Sequence, residues 1–108
     1  MTIDQLKNII FCWASENSLV RKVYIFGSRA RGDYCLTSDL DVAIEVNQTP
    51  QDGSECSTWF NSRKMLKASL QALVPYQLQL EWYDPIETPT VHKGLQESSI
   101  LVYEQPKP

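Results

Sequence analysis

Phe26-Gly27-Ser28-Arg29-Ala30-Arg31-Gly32-Asp33, followed by Ser38-Asp39-Leu40-Asp41, is the stretch on which the reading of this chain turns. Just before it, Val23-Tyr24-Ile25-Phe26 is a β-branched and aromatic run that reads as a buried strand. It stops at Gly27-Ser28. Just after the gap, Ser38 to Val46 reads as a second strand by alternation. Leu40, Val42, Ile44 and Val46 fall on one face, and Asp39, Asp41, Ala43 and Glu45 on the other. A glycine-serine turn therefore leaves one strand, and an aspartate pair opens the next. Gly27 lets backbone come close to a phosphate. Ser28 adds a hydroxyl and an N–H at the start of a helical turn, where the dipole favours anions. Arg29 and Arg31 add positive charge, and residues 21–33 hold four basic side chains against one acid, a local +3. Asp39 and Asp41, at i and i+2, point the same way, roughly 6.5–7 Å apart along the strand. Like charges so placed repel, and a divalent cation removes the conflict; magnesium is usually held by one or two carboxylates plus substrate phosphates. Taken singly, a Gly-Ser pair is more often an ordinary turn, and an Asp-x-Asp more often a solvated face.

Working outward, Thr2 reads as a helix N-cap with Gln5 completing a capping box. Ile3, Leu6, Ile10 and Trp13 then mark one helical face as far as about Glu16. Asn17-Ser18 breaks that helix, and Arg21-Lys22 leads into the first strand. Asn47 to Ser57, with Pro50 and Gly53, reads as a loop. Trp59, Leu66, Leu70 and Leu73 form the stripe of a second long helix that ends before Pro75. Leu78, Leu80 and Trp82 alternate with Gln77, Gln79, Glu81 and Tyr83, a third strand that Asp84-Pro85 ends. Val91 to Ser98 reads as a short helix, and Ile100 to Tyr103 as a fourth strand or an extended docking segment. This is one α+β domain over residues 1–104 with a loose tail at 105–108, both long helices covering one face of a small sheet. The other face is left to the carboxylates. If the third strand lies beside the second, Glu81 joins Asp39 and Asp41, a set suited to a pair of metal ions.

Composition narrows the function classes. In 108 residues, 43% are apolar and 21% charged, which is ordinary for a soluble domain, and the net charge is −3. A general nucleic-acid coat needs surplus Lys and Arg, so direct nucleic-acid binding is not expected. No apolar run reaches the roughly 18 residues of a membrane span. The N-terminus lacks the basic region of a signal peptide, and the expectation is a cytoplasmic protein. Cys12, Cys35 and Cys56 have no CxxC spacing, and His92 is the single histidine. A disulfide framework and a zinc site are therefore not expected; the thiols should be reduced and partly buried. Asn47-Gln48-Thr49 and Arg31-Gly32-Asp33 read as chance matches to a glycosylation sequon and an integrin-binding tripeptide. No GxxxxGK P-loop occurs. Arg63, Lys64 and Lys67 read as a solvated helix face, and His92 as a surface residue. Of the adjacent aromatics Trp59-Phe60 and Trp82-Tyr83, one of each pair is free to stay outside the core.

The joint pattern is Gly27, Ser28, ten residues from 29 to 38, then Asp39-Leu40-Asp41. It resembles the nucleotidyltransferase superfamily of DNA polymerase β type. In particular it is similar to the minimal nucleotidyltransferases, single small domains with the pattern GS-x10-DxD. The resemblance implies a mixed β-sheet with helices packed on one face, binding ATP with Mg²⁺. It puts Asp39 and Asp41 in the metal-ligand and catalytic places, and Gly27 and Ser28 in the triphosphate loop, with Arg29 and Ser38 as further nucleotide-binding residues. Glu81 matches the third carboxylate, usually an aspartate in the family, as metal ligand or base. The implied reaction is in-line attack of a hydroxyl on the α-phosphate, with pyrophosphate leaving. Relatives of this kind occur beside a small helical HEPN-domain ribonuclease toxin and transfer AMP to its tyrosine, so the resemblance implies an antitoxin. The alternatives are a catalytically weak module that binds a helical partner, and transfer to a small molecule within a dimer.

Overall fold

A computed structural model describes residues 1–33, 35 and 37–106. Helix α1 (Ile3–Ser15) starts at Thr2, whose hydroxyl accepts from the Gln5 N–H at 3.1 Å while the Gln5 side chain accepts from the Thr2 N–H at 2.8 Å. Two of the donors that a helix start leaves orphaned are thereby satisfied, as its sequence predicts. There follow β1 (Val20–Phe26), a four-residue turn of helix α2 (Ser28–Arg31), β2 (Leu40–Val46), α3 (Glu55–Gln71), β3 (Leu78–Trp82), α4 (Pro89–Glu97) and β4 (Ser99–Glu104). The sheet runs β3-β2-β1-β4. β1 is antiparallel to β2 and to β4, whereas β2 and β3 are parallel, so the sheet is mixed.

The alternation in β2 works as read. Leu40, Val42, Ile44 and Val46 are fully buried and pack with Val23 and Ile25 of β1, Leu6, Ile10 and Trp13 of α1, and Leu66 and Leu70 of α3 in one cluster. Both long helices therefore cover one face, and Trp13 Nε1 donates to Ser69 Oγ at 2.9 Å across the seam between them. No helix among the described residues is long and apolar enough to cross a membrane.

Several boundaries move, each for a local reason. β1 begins at Val20, three residues before the apolar run, because a bulge at Arg21 lets Val20 face the core while Lys22 faces the opposite side. β2 begins at Leu40, which leaves Ser38 and Asp39 ahead of it. α3 starts inside the expected loop, because Ser54 caps it by accepting from the Ser57 N–H at 3.1 Å. It ends at Gln71, so Leu73 falls beyond the stripe and is exposed. α4 starts at Pro89, where a proline loses nothing by lacking an N–H. Ile100 to Tyr103 lies in a true strand. Gln105 continues it, with its N–H on Arg21 O at 2.8 Å and its Oε1 accepting from Asn47 Nδ2 at 2.9 Å. Of the expected tail, residues 107 and 108 lie outside the described residues.

The three cysteines are free but exposed rather than partly buried. Asn47 Nδ2 also donates to Ser18 O, so the sequon's amide is engaged in the fold. His92 is half-buried: its Nδ1 lies 2.7 Å from Tyr83 Oη, and the two rings stack 5.8 Å apart. Phe60 is exposed while Trp59 packs on the core.

Candidate active site

The carboxylate face of the sheet is built by register. In the antiparallel pair, Phe26 sits opposite Asp41; in the parallel pair, Gln79 sits beside Asp41 and Glu81 beside Ala43. Paired residues share a face, so Phe26, Asp41, Gln79 and Glu81 line one cleft of about 490 Å³. Thr90 and Val91 of α4 form its remaining wall. α4 thus covers part of the face that the sequence reading left to the carboxylates alone. Gly94 faces the Phe26 ring, which a Cβ there would touch in ordinary contact at 3.4 Å. Tyr83, just past β3, stacks on His92 of α4 and stands edge-on to Tyr24 of β1.

Gly27 turns the chain out of β1 with φ 72° and ψ −151°, a conformation that L side chains rarely adopt. Its position leaves no room for a side chain either, since a Cβ would lie 3.3 Å from Asp41 Cγ and closer still to the carboxylate oxygen. Turn and acid are therefore packed against each other. Ser28 opens α2, whose first N–H groups have no carbonyl within the turn to bond. Burial holds the Asp41 carboxyl above its ordinary range; Asp39 and then Glu81 add to this by repulsion, and Arg31 opposes them.

Asp39 is exposed just ahead of β2 and accepts from Gln79 Nε2 at 3.3 Å. Glu81, also exposed, stands one pleat beyond the partner of Asp41. The three acids share a face and feel one another, but among the described residues no three acid, His or Cys side chains come close enough to hold one ion. Asp39, Asp41 and Glu81 thus stand in a looser arrangement than a single three-acid cluster. The register explains it, because the position beside Asp41 is taken by the neutral Gln79. Oxygen donors from two carboxylates, next to the Gly27 turn, are of the kind that fits magnesium bound jointly with phosphates.

The local +3 is not presented to the cleft. Arg21 pairs with Glu45 at 3.1 Å and Glu55 at 3.0 Å, and Lys22 with Glu104 at 3.2 Å. Arg29 is 3% exposed, donates to Ser38 O at 2.8 Å and lies 3.7 Å over the Tyr76 ring. It ties α2 to the start of β2 instead of offering charge to a ligand. Ser38 is the other half of that tie, since its Oγ accepts from Cys35 N–H at 3.0 Å. The hydroxyls of Ser38 and Thr37 beside the Cys35 sulfur hold that thiol down at about 7. Arg31, paired with Asp33 at 3.1 Å on the surface, is the cation that reaches Asp41 electrostatically. Gln79, Thr90 and Val91 were missed as site residues. The polar alternation of β3 flagged Gln79, but nothing in the sequence says that α4 folds over this face.

The protein is thus an α+β domain whose mixed sheet carries a glycine turn packed on its first acid-bearing strand. The family described as polymerase beta nucleotidyltransferases matches over residues 7–108, and this chain belongs to it. A Methanocaldococcus jannaschii protein described as a protein adenylyltransferase is 38% identical over 52 residues, 45% of this chain and 60% of that one. The matched segment thus spans less than two thirds of that relative. Among solved structures, a toxin–antitoxin with AMP-PNP superposes with TM-score 0.59 at 17% identity, covering 92% of this chain and 73% of that one. A mutant MntA-HpeT toxin–antitoxin gives 0.58 at 15% identity, with the same coverage. A Sulfolobus solfataricus protein described as a nucleotidyltransferase gives 0.50 at 20% identity, covering 94% of this chain and 79% of that one. These likenesses bear on the fold.

Proposed function

We propose that this chain transfers AMP from ATP, with Mg²⁺, to a tyrosine hydroxyl of a HEPN-domain ribonuclease toxin, and so acts as its antitoxin. The observation that carries this is the packing of the Gly27 turn directly on Asp41, which sets backbone bare of a side chain against an acid. Membership of the nucleotidyltransferase family supports it, as do the protein adenylyltransferase relative and the toxin–antitoxin folds.

Gly27 and Ser28 take the triphosphate, and Arg29 and Ser38 hold that loop in place. Asp39 and Asp41 are the residues that would hold magnesium, with Glu81 a third donor. When bound, the metal neutralises charge on the phosphates and on the leaving pyrophosphate. The acceptor oxygen attacks the α-phosphorus, and the bond to the β-phosphate oxygen breaks with its electron pair. Glu81, at the mouth of the cleft, takes the hydroxyl proton. Burial beside Asp39 and Glu81 makes Asp41 costly to ionise alone, so a cation is favoured there.

The looser arrangement of the three acids favours a second reading, a catalytically weak module that binds a helical partner. Incubation with α-labelled ATP, Mg²⁺ and a HEPN protein encoded beside this chain separates the two. Label on the HEPN protein, lost with Asp41→Asn, is expected for the transferase. A stable complex without label sinks transfer and leaves the binding module.

A further inference from the structure

On the other side of Glu81 lies a second groove, of about 360 Å³. Arg63, Lys64 and Lys67 of α3 line it, together with Trp59 and Leu80, and Glu81 stands between this groove and the acidic cleft. Trp59, Arg63 and Lys67 follow at one-turn spacing, so they form one ridge of the helix. All three cations are exposed. Among the described residues none of them is ion-paired, unlike Arg21, Lys22 and Arg31. Arg63 lies 4.6 Å over the ring of Phe60, which is 64% exposed. The groove also borders β3, an edge strand paired only with β2. On that outer edge Gln71 Oε1 takes the Leu78 N–H at 2.9 Å, so the stretch beside the groove is Leu80 to Trp82. A merely solvated helix face would have neither an apolar floor nor a strand edge beside it. On a chain of net charge −3, three unpaired cations gathered here are complementary to acid. A nucleic acid suits the groove less well, because a continuous phosphate backbone leaving it past Glu81 would meet the acids of the cleft. A polypeptide can change sign within a few residues.

We propose that this groove receives an acidic extended segment of the protein whose hydroxyl the neighbouring cleft modifies. The segment's carboxylates lie on Arg63, Lys64 and Lys67, and its backbone runs along the outer edge of β3 as an added strand. Its acceptor residue then passes Glu81 into the cleft. The inference rests on the reading of the chain as a transferase acting on protein.

The test uses a fluorescein-labelled octapeptide, Glu-Glu-Glu-Glu-Gly-Ser-Tyr-Gly, its Lys-for-Glu counterpart and a twelve-nucleotide oligouridylate. Each is titrated by anisotropy against the native chain and the Arg63→Glu, Lys64→Glu, Lys67→Glu triple variant, with Lys64→Glu alone as a milder second variant. ATP–Mg²⁺ is titrated into the same proteins by calorimetry. The acidic peptide is expected to bind the native chain at least tenfold more tightly than the triple variant and a few-fold more tightly than Lys64→Glu. Raised salt should weaken it, the Lys peptide should show the reverse preference, and ATP binding should be unchanged. Equal binding of the acidic peptide to native chain and variants, or binding to none, overturns the inference. So does oligouridylate that binds more tightly than the peptide and is lost in the variants. If the peptide discriminates while ATP binds to no protein, the groove stands and the transferase reading falls; the converse result removes only the groove.

Discussion

Asp41 carries a charge that the fold resists. Its carboxyl is held above the ordinary range first by burial and then by Asp39 and Glu81. A raised folded-state value means that the native chain holds the proton more tightly than the unfolded chain. Its favourable contribution is full below the unfolded value near ~3.9 and is lost as pH rises through the folded value. Asp41→Asn should therefore melt at a higher temperature than the native chain at pH 7 without magnesium, with the gap closing below about pH 4. Thermal scans across pH check this, and a variant less stable at pH 7 contradicts it. At Gly27 the constraint is steric. Gly27→Ala meets both an unfavourable φ and the Asp41 carboxylate, and should cost about 1–3 kcal/mol of stability. The same change should abolish ATP binding, and denaturant titration with calorimetry reads both.

At the scale of elements, the short turn α2 depends on a neighbour far along the chain. Arg29 bonds Ser38 O and stacks on Tyr76, which lies between α3 and β3. Removing the guanidinium strips buried groups of their partner, so Arg29→Leu should destabilise by about 2–4 kcal/mol. It should also weaken ATP binding, by loosening the link between the Gly27 turn and Asp39. Arg63→Leu, an exposed cation on α3, should leave both melting and ATP binding almost unchanged and serves as the control. These elements show how far the sequence could be read. Capping at Thr2, alternation in β2 and β3, and the stripe of α3 are local patterns, and they were legible. The Gln79 partner of Asp41 was not, because register belongs to two strands at once. The fate of Arg29 was equally hidden, since its partner Tyr76 is remote in sequence. Three acids on one face could be foreseen, but their spacing could not.

For the molecule as a whole, the last strand is not an appendage. β4 pairs with β1 over Lys22–Phe26, and Tyr103 lies in the main core. A chain ended after Ser98 loses that pairing and the cover of Tyr103 and Val102. It should lose cooperative unfolding, seen as a broad melt by circular dichroism with dye-binding apolar surface. A sharp transition close to that of the full chain would show that the first three strands suffice. The acidic face, the basic groove and the glycine turn all hang on this one sheet, so their separations are set by strand register rather than by loops.

One residue, Ser98, separates α4 from β4, and β4 is laced to the strand that ends at Phe26. The two sides of the acidic cleft, Thr90 and Val91 opposite Phe26, are thus jaws on a single spine with no hinge between them. Spreading them would mean peeling a strand from the sheet. The aperture is accordingly fixed when the chain folds, and a visiting molecule is accepted or refused by its width before any chemistry begins.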